Sequence, residues 1–418
     1  MTIKGWCESA LYAVAELTMG QSPDSKFYTE NESNLPFLQG CAEFGVRHPT
    51  PKINCSAPKK VAKNGSLLFS VRAPVGRLNV ADRDYIIGRG LAGIIATEIV
   101  QDYLEQYLIS QGDEFGNASQ GSTFKAINSA ELSQWPIVHP ECKDEQAKIA
   151  EILSTVDRAI EQTQSLIAKQ QRIKTGLMQD LLTHGIDSSG NLRSEQTHKF
   201  KDSPLGRIPE EWDVEPWGKH VEHWGYGPRF SAENYDQNGN VRTIRGTDFT
   251  KEGEILYDQV PRAKLSAEMV RRHALQHNDV VVVTTADCGL TSVFKEQPEH
   301  YMASAYAVTY RFCESAVAPY FVKFFMQTEM AKNQVKGYVR QGTLGNLPGS
   351  DMLKVFMAIP KKEEQKLIVQ RLQTQQHTLE QNQFCLSKLQ SLKTGLMQDL
   401  LTGKKRVIKL LKKESVAV

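Results

Sequence analysis

From near Asp144, and again from near Glu363, apolar side chains recur at alternating steps of four and three for about 38 residues without a proline. That period predicts two long helices. The register in the first is Ile149, Leu153, Val156, Ile160, Thr163, Ile167, Gln170, Lys174, Leu177, Leu181, and in the second Ile368, Leu372, Gln375, Leu379, Asn382, Leu386, Leu389, Lys393, Leu396, Leu400. Such a stripe is a coiled-coil seam, and polar members such as Gln170, Gln375 and Asn382 fix register at some cost in stability. Asp144-Glu145 and Glu363-Glu364 fall in first turns, where carboxylates complement the helix dipole, shortly after Pro140 and Pro360. The two helices are expected to pair with each other, antiparallel if a pseudo-twofold axis relates them; sequence leaves parallel or intermolecular pairing open. A helix of roughly 36 residues is about 54 Å long.

Ahead of each helix the pattern changes to mixed α/β. Leu67 to Val71 and Val280 to Thr284 are short apolar runs that predict buried strands, and residues 97–109 and 318–336 predict helices. The aromatic side of 320–325 is expected to be core rather than a base-stacking surface.

The chain is written twice. Lys174-Thr175-Gly176-Leu177-Met178-Gln179-Asp180-Leu181-Leu182-Thr183 recurs without change as Lys393 through Thr402, at an offset of 219. Upstream the echo continues through Gln120-Gly121-Ser122 and Gln341-Gly342-Thr343, Pro140 and Pro360, Gly20-Gln21-Ser22-Pro23 and Gly225-Tyr226-Gly227-Pro228, and Trp6 and Trp212. Landmarks keep their order while the residues between them differ. A seam needs only apolar volume, so identity at Lys174, Thr175, Gln179 and Asp180 and at Lys393, Thr394, Gln398 and Asp399 points to one external surface met twice. Glycine inside a helix costs about 1 kcal/mol, so Gly176 and Gly395 suggest close approach of another backbone. Recent duplication without divergence is the alternative.

Composition narrows the class. Apolar residues form 40% of the 418 and charged residues 23%, values of a globular protein, and no apolar run reaches a membrane span. The start lacks a signal-peptide profile, so a cytoplasmic protein is expected. Seven scattered cysteines, none spaced C-x-x-C, speak against a disulfide framework or a zinc site. The basic excess is confined to residues 361–418, with 12 basic and 5 acidic side chains. A chain that gripped DNA alone would carry a broader basic surface, so a partner is expected to share the hold. The run 404–413 could reach phosphates or a partner, or be a solvated extension. No phosphate loop, H-E-x-x-H or [DNS]-P-P-[YFW] tetrapeptide occurs, and Gly88-Arg89-Gly90-Leu91-Ala92-Gly93 lacks the acid a dinucleotide fold requires. His220 and His223 are expected at the surface or in packing.

Together these landmarks resemble the specificity subunits of type I restriction–modification systems over nearly the whole chain. The resemblance implies an α+β architecture with two tandem α/β target-recognition domains separated by two long helices that form an antiparallel coiled coil. The expected divisions are 1–143 and 211–360 for the recognition domains, 144–184 and 361–403 for the helices, 185–210 for a linker and 404–418 for a basic tail. It further implies a non-catalytic subunit that reads a bipartite asymmetric DNA site, one half per domain, and docks two modification subunits carrying S-adenosylmethionine. Restriction subunits using ATP and Mg would join them. Docking is expected through Lys174, Thr175, Gly176, Gln179, Asp180 and their repeats Lys393, Thr394, Gly395, Gln398, Asp399.

Base contacts are expected from chemistry near the glycine landmarks: Gln21, Ser22, Lys26, Gln39, Arg47 and Arg72 in the first domain. In the second they are Arg229, Arg245, Thr247, Asp248, Arg340 and Gln341. Arginine forks to guanine, glutamine to adenine, and aspartate accepts from cytosine. The competing readings are a self-sufficient methyltransferase or nuclease, and a coiled-coil scaffold without a nucleic-acid role.

Overall fold

The computed structural model describes residues 3–118, 126–408 and 410–411. The chain forms two units, Met1–Ser165 with Phe384–Val418, and Leu166–Gln383. Two helices, Lys143–Thr183 and Lys362–Leu400, each begin in one unit and end in the other. The motif Gln120-Gly121-Ser122 lies outside the described residues.

In the first unit a four-stranded antiparallel sheet has the order Ala15–Met19, Leu91–Ala96, Leu67–Ser70, Leu78–Val80. A five-stranded sheet is built from segments that lie in sequence between the first and last of these strands, in the order Tyr28–Thr29, Ile53–Cys55, Leu35–Leu38, Tyr85–Ile87, Val61–Ala62. Trp6–Ala10 pairs with Pro136–Pro140, which leads into the first long helix. The second unit repeats this plan with Val221–Tyr226, Ala307–Phe312, Val280–Val283, Thr291–Val293 as the four-stranded sheet. Its smaller sheet has three strands, Arg262–Ala263, Val241–Ile244 and Tyr301–Ala303, and Asp213–Pro216 pairs with Phe356–Ile359 ahead of the second long helix.

Both apolar runs are buried strands, because their β-branched and aromatic side chains meet cover on both faces. The helix expected over 97–109 spans Gln101–Ser110, and that over 318–336 is two helices, Pro319–Met326 and Glu329–Tyr338. The break falls at Thr328, whose hydroxyl accepts from Ala331 N and caps the second helix. Phe321, Phe324 and Phe325 are core, as their apolar stripe requires.

Within each unit the two long helices run antiparallel. In the second unit Gln375 Nε2 donates to Gln170 Oε1 and Lys174 to Gln376 Oε1, while Met178, Leu181 and Leu182 share a core with Ile368 and Leu372. In the first unit Ile149 and Leu153 share a core with Leu400 and Leu401, and Lys393 pairs with Asp157. Ile149, Leu153, Ile368 and Leu372 have no exposed surface, and burying each contributes about 1.5–3 kcal/mol.

The helix starts are fastened identically. Gln146 donates to Pro140 O (2.7 Å) and accepts from Val100 N (2.8 Å); Gln365 donates to Pro360 O (2.9 Å) and accepts from Ala318 N (2.8 Å). The preceding glutamates are each gripped by an arginine from beyond a long helix. Arg406 holds both oxygens of Glu145 (2.7 and 2.6 Å) and Arg193 both oxygens of Glu364. The chain reaches both arginines through a left-handed glycine just after each helix, Gly185 (φ +65°) and Gly403 (φ +70°), the conformation glycine adopts without penalty.

The stretch after the first helix is therefore structured, with Arg193 buried and a hairpin of Phe200–Ser203 and Gly206–Pro209. The start of the basic run is likewise tied down: Lys405 pairs with Asp399, Arg406 with Glu145, and Val407 is core.

Candidate nucleic-acid interface

In the second unit the loops at one end of the two sheets enclose a cleft of about 760 Å³. Arg229, Arg245 and Thr247 line it, with Asp287, Tyr306 and Leu344 opposite. Arg229 and Thr247 are exposed, and Tyr306 and Leu344 are more than 60% exposed, so the cleft presents cationic, hydroxyl and apolar groups to solvent together. That mixture can meet base edges and the thymine methyl group. Asp248 is placed differently. Its carboxylate is 1% exposed, accepts from Arg245 N (2.8 Å) and holds the Arg245 guanidinium (3.2 and 2.8 Å). Arg245 thus enters the cleft with its fork partly occupied. Arg340 and Gln341 are exposed but lie outside this cleft; Arg340 stands 4.0 Å from Asp351, and Gln341 borders a second cleft of about 940 Å³ beside Lys174, Thr175 and Gln179.

In the first unit the structure brings Ser22 and Gln39 together, the Gln39 amide donating to Ser22 Oγ at 3.2 Å, with Arg89 N also donating to that hydroxyl at 3.3 Å. Gln21 is exposed beside them. Lys26 lies along the same loop and pairs with Asp24, and Arg72 is exposed next to a bridge with Ala126. Arg47 faces the helix layer instead, where its guanidinium approaches both Glu105 oxygens at 3.4 Å.

One landmark aligns differently in space than in sequence. Gly20 N donates to Leu91 O and Gly227 N to Ala307 O, the first residue of the equivalent central strand. Gly20 therefore corresponds to Gly227, two residues beyond the Gly225 suggested by the echo. Both need glycine because a Cβ would fall 2.1 Å from Gly88 O or 1.8 Å from Ala303 O. Ser22 and Arg229 then occupy the same position, and the two heads present different chemistry there.

Four polar or glycine positions of the repeated decapeptide show the same exposure in both copies. Thr175, Gly176 and Gln179 are exposed, as are Thr394, Gly395 and Gln398, while Asp180 and Asp399 are half-buried. The expectation of a close backbone at Gly176 and Gly395 is not met among the described residues, where a Cβ at either would have nothing within 4 Å beyond its own helix turn. Lys174 is buried against Gln376, and burial pushes its ammonium below the usual lysine range; Lys393 is half-buried on Asp157. Both clefts that border the repeats use equivalent residues: Lys174, Thr175, Met178, Gln179 and Thr183 in one, Lys393, Thr394, Met397, Gln398 and Thr402 in the other.

Beside each repeated lysine stands an ion pair that sequence reading missed. Glu105, fifth residue of its helix, meets Arg47; Lys323, fifth residue of the equivalent helix, meets Glu254. Burial pushes the Glu105 carboxyl up against the pull of Arg47, and burial pushes Lys323 down against the pull of Glu254. The partners are more than 55 residues apart, so no local spacing announced them. Of the histidines, His220 bonds Glu215 (2.7 Å) and His223 is exposed. All seven cysteines are free thiols, and no helix among the described residues is long and apolar enough to cross a membrane.

Comparison with known proteins agrees with this geometry. The family model for the type I restriction modification DNA specificity domain matches residues 3–170 and again 209–385. A putative type I restriction enzyme MjaX specificity subunit of Methanocaldococcus jannaschii is 37% identical over 173 residues, 41% of this chain and 40% of that protein. The MjaIX specificity subunit of the same organism is 24% identical over 257 residues, 58% and 57% of the two chains, so the chain spans about half the length of these curated relatives. Among solved structures, the S subunit of a type I restriction–modification system from M. genitalium superposes with a TM-score of 0.62 at 14% identity, covering 94% of this chain and 96% of that one. A chain from a study of complex assembly and conformational transition of the type I system gives 0.55 at 17% identity, with 96% and 98% covered. With both halves of the sequence matched and the duplicated architecture in place, this chain belongs to the type I restriction–modification DNA specificity family.

Proposed function

We propose that this chain is the DNA-reading subunit of a type I restriction–modification complex, without a catalytic centre of its own. Each head reads one half of a bipartite asymmetric site, and the long helices set the unspecified gap between the halves. The observation that carries this reading is the combination of one frame with two different faces. Gln146 and Gln365, Glu145 and Glu364, and the exposed faces of the decapeptides are equivalent, whereas Ser22 in one head stands where Arg229 stands in the other. A repeated external surface suits two copies of one partner, and dissimilar reading faces suit two unlike half-sites.

Thr175, Gly176, Gln179 and Asp180, with Thr394, Gly395, Gln398 and Asp399, dock two modification subunits, which carry S-adenosylmethionine and methylate the DNA. Among the described residues nothing beyond its own helix turn lies near a Cβ at Gly176 or Gly395, which leaves those places free for a partner backbone. Lys174 and Lys393 support the surface from beneath rather than forming it. Restriction subunits using ATP and Mg act from outside this chain. Arg229, Thr247 and the free face of Arg245 read bases in the second head, and Gln21, Ser22 and Gln39 in the first.

Co-expression with the modification subunit tests the proposal. A complex of one chain to two modification subunits, together with methylation at a single bipartite motif, is the expected result. Methylation by the isolated chain, or methylation with no sequence preference, sinks it. Inserting about four residues into both helices adds roughly 6 Å to each and lengthens the gap by about one or two base pairs.

A further inference from the structure

Each head carries a basic run at one structural position. In the second unit the helix Ala267–His273 ends in Arg271-Arg272-His273, and the next residue, Ala274, bridges to Met302. In the first unit Lys59-Lys60 directly precede Val61, which pairs with Ile86. Ile86 and Met302 are equivalent, since each lies in the strand that runs parallel to its neighbour, opposite Phe37 and Thr243 respectively. The two runs therefore overlap at the same point of the fold, Lys59 with Arg272 and Lys60 with His273, while Arg271 lies one residue further out. Lys59, Lys60, Arg271 and Arg272 are all exposed, and none forms an ion pair among the described residues.

In the second unit this run walls a small polar cleft of about 110 Å³ that also holds His223, Arg311 and Asp279. The one carboxylate there does not cancel the run: Asp279 is buried, and Arg311 takes both its oxygens at 2.8 Å. Arg271 and Arg272 are left as uncompensated charge. Gly227 and Ala303 line this cleft, while the residues that follow them, Pro228 and Ser304, line the larger cleft of Arg229 and Thr247. One backbone ridge, where Gly227 meets Ala303, thus divides a recess with a net cationic wall from a mixed one. In the first head Gly20 against Gly88 forms the same ridge.

We infer that Lys59-Lys60 and Arg271-Arg272 grip the phosphodiester backbone of the duplex beside each half-site, fixing the position of the neighbouring clefts without reading sequence themselves. The inference rests on the DNA-reading function proposed above. Backbone contacts position a protein on a duplex and base contacts specify it, and a ridge between the two kinds of recess separates those tasks. Lys59 and Arg272, each two residues before the pairing residue, exchange lysine for arginine between the heads, which supports the assignment. A phosphate accepts either the compact ammonium or the planar guanidinium, so a position that carries lysine in one head and arginine in the other asks for charge rather than for one fixed geometry.

The test uses the complete complex with its modification subunits, a duplex bearing the motif found by methylome sequencing, and binding measured across a series of KCl concentrations. Replacing both arginines, Arg271→Ala with Arg272→Ala, is expected to make the slope of log K against log salt shallower by about 2, at roughly 0.9 for each phosphate no longer neutralised. The methylated motif stays the same. Arg271→Lys with Arg272→Lys restores the original slope, and Lys59→Ala with Lys60→Ala reproduces the alanine result from the other head. A slope unchanged by the alanine pairs overturns the inference, as does a motif altered in one half, which would make these residues base readers. If the unsubstituted complex shows no site preference, the DNA-reading proposal itself has failed and this inference falls with it.

Discussion

The two heads are fastened to their helices by the same glutamate–arginine grip but with different partners around it. Glu364 accepts from Arg193, Ile186 N and Trp212 Nε1, whereas its counterpart Glu145 accepts from Arg406, and the Nε1 of the equivalent Trp6 is buried without a partner among the described residues. Further out the polarity inverts: the helix supplies Glu105 to a loop arginine in one head and Lys323 to a loop glutamate in the other. A duplicated fold has kept positions that must be linked and let the sign of the link change. What is held in common is geometry and complementarity rather than residue identity.

The largest effect expected from breaking this comparison lies at the helix starts. Glu364→Ala leaves Arg193, which is 7% exposed, with only the exposed Glu211 at 3.5 Å, and should cost about 3–5 kcal/mol. Glu145→Ala should cost less because Arg406 is 28% exposed and can turn to water. Urea denaturation of both variants checks the order, and equal losses would refute it.

A smaller effect is expected at the inverted pairs. Glu254→Ala leaves Lys323 buried at 3% exposure and should destabilise by about 1–3 kcal/mol, more than Arg47→Ala, whose partner Glu105 is 12% exposed. Exchanging the charges, Arg47→Glu with Glu105→Arg, should recover most of what either single change loses. A double variant no better than the singles would show that packing, not charge pairing, holds that loop.

The smallest effect is a pH dependence. Because the Glu105 carboxyl titrates above its ordinary value, the folded state favours its protonated form. Its contribution is present at low pH and is lost as pH rises through the raised value. Relative to Glu105→Gln, the unsubstituted protein should gain stability as pH falls from 7 into the carboxylate range; thermal melts that show the reverse trend would contradict the burial assigned to Glu105.

Much of the fold was readable because it is periodic or repeated. The seam from Ile149 to Leu181, the first-turn acids and the two strands each follow from local pattern. The site was less readable because its partners are distant in sequence. Arg47 and Asp248 have the chemistry of base readers, yet Glu105 and Arg245 engage them, and only folding brings those pairs together. Arg193 and Arg406 gave no signal, since an arginine after a helix reads as a solvated end until the carboxylate it reaches is known. The break at Thr328 was available in principle, as a hydroxyl followed three residues later by Ala331 N is a helix cap.

Gln146 and Gln365 carry a consequence for how such chains change partners on DNA. Each amide seals the joint between head and rod by bonding only main-chain atoms of the head, Val100 N and Pro140 O or Ala318 N and Pro360 O. That socket is blind to side chains, so a head of unrelated sequence fits it whenever its backbone follows the same path, and a new specificity can be plugged in without rebuilding the joint.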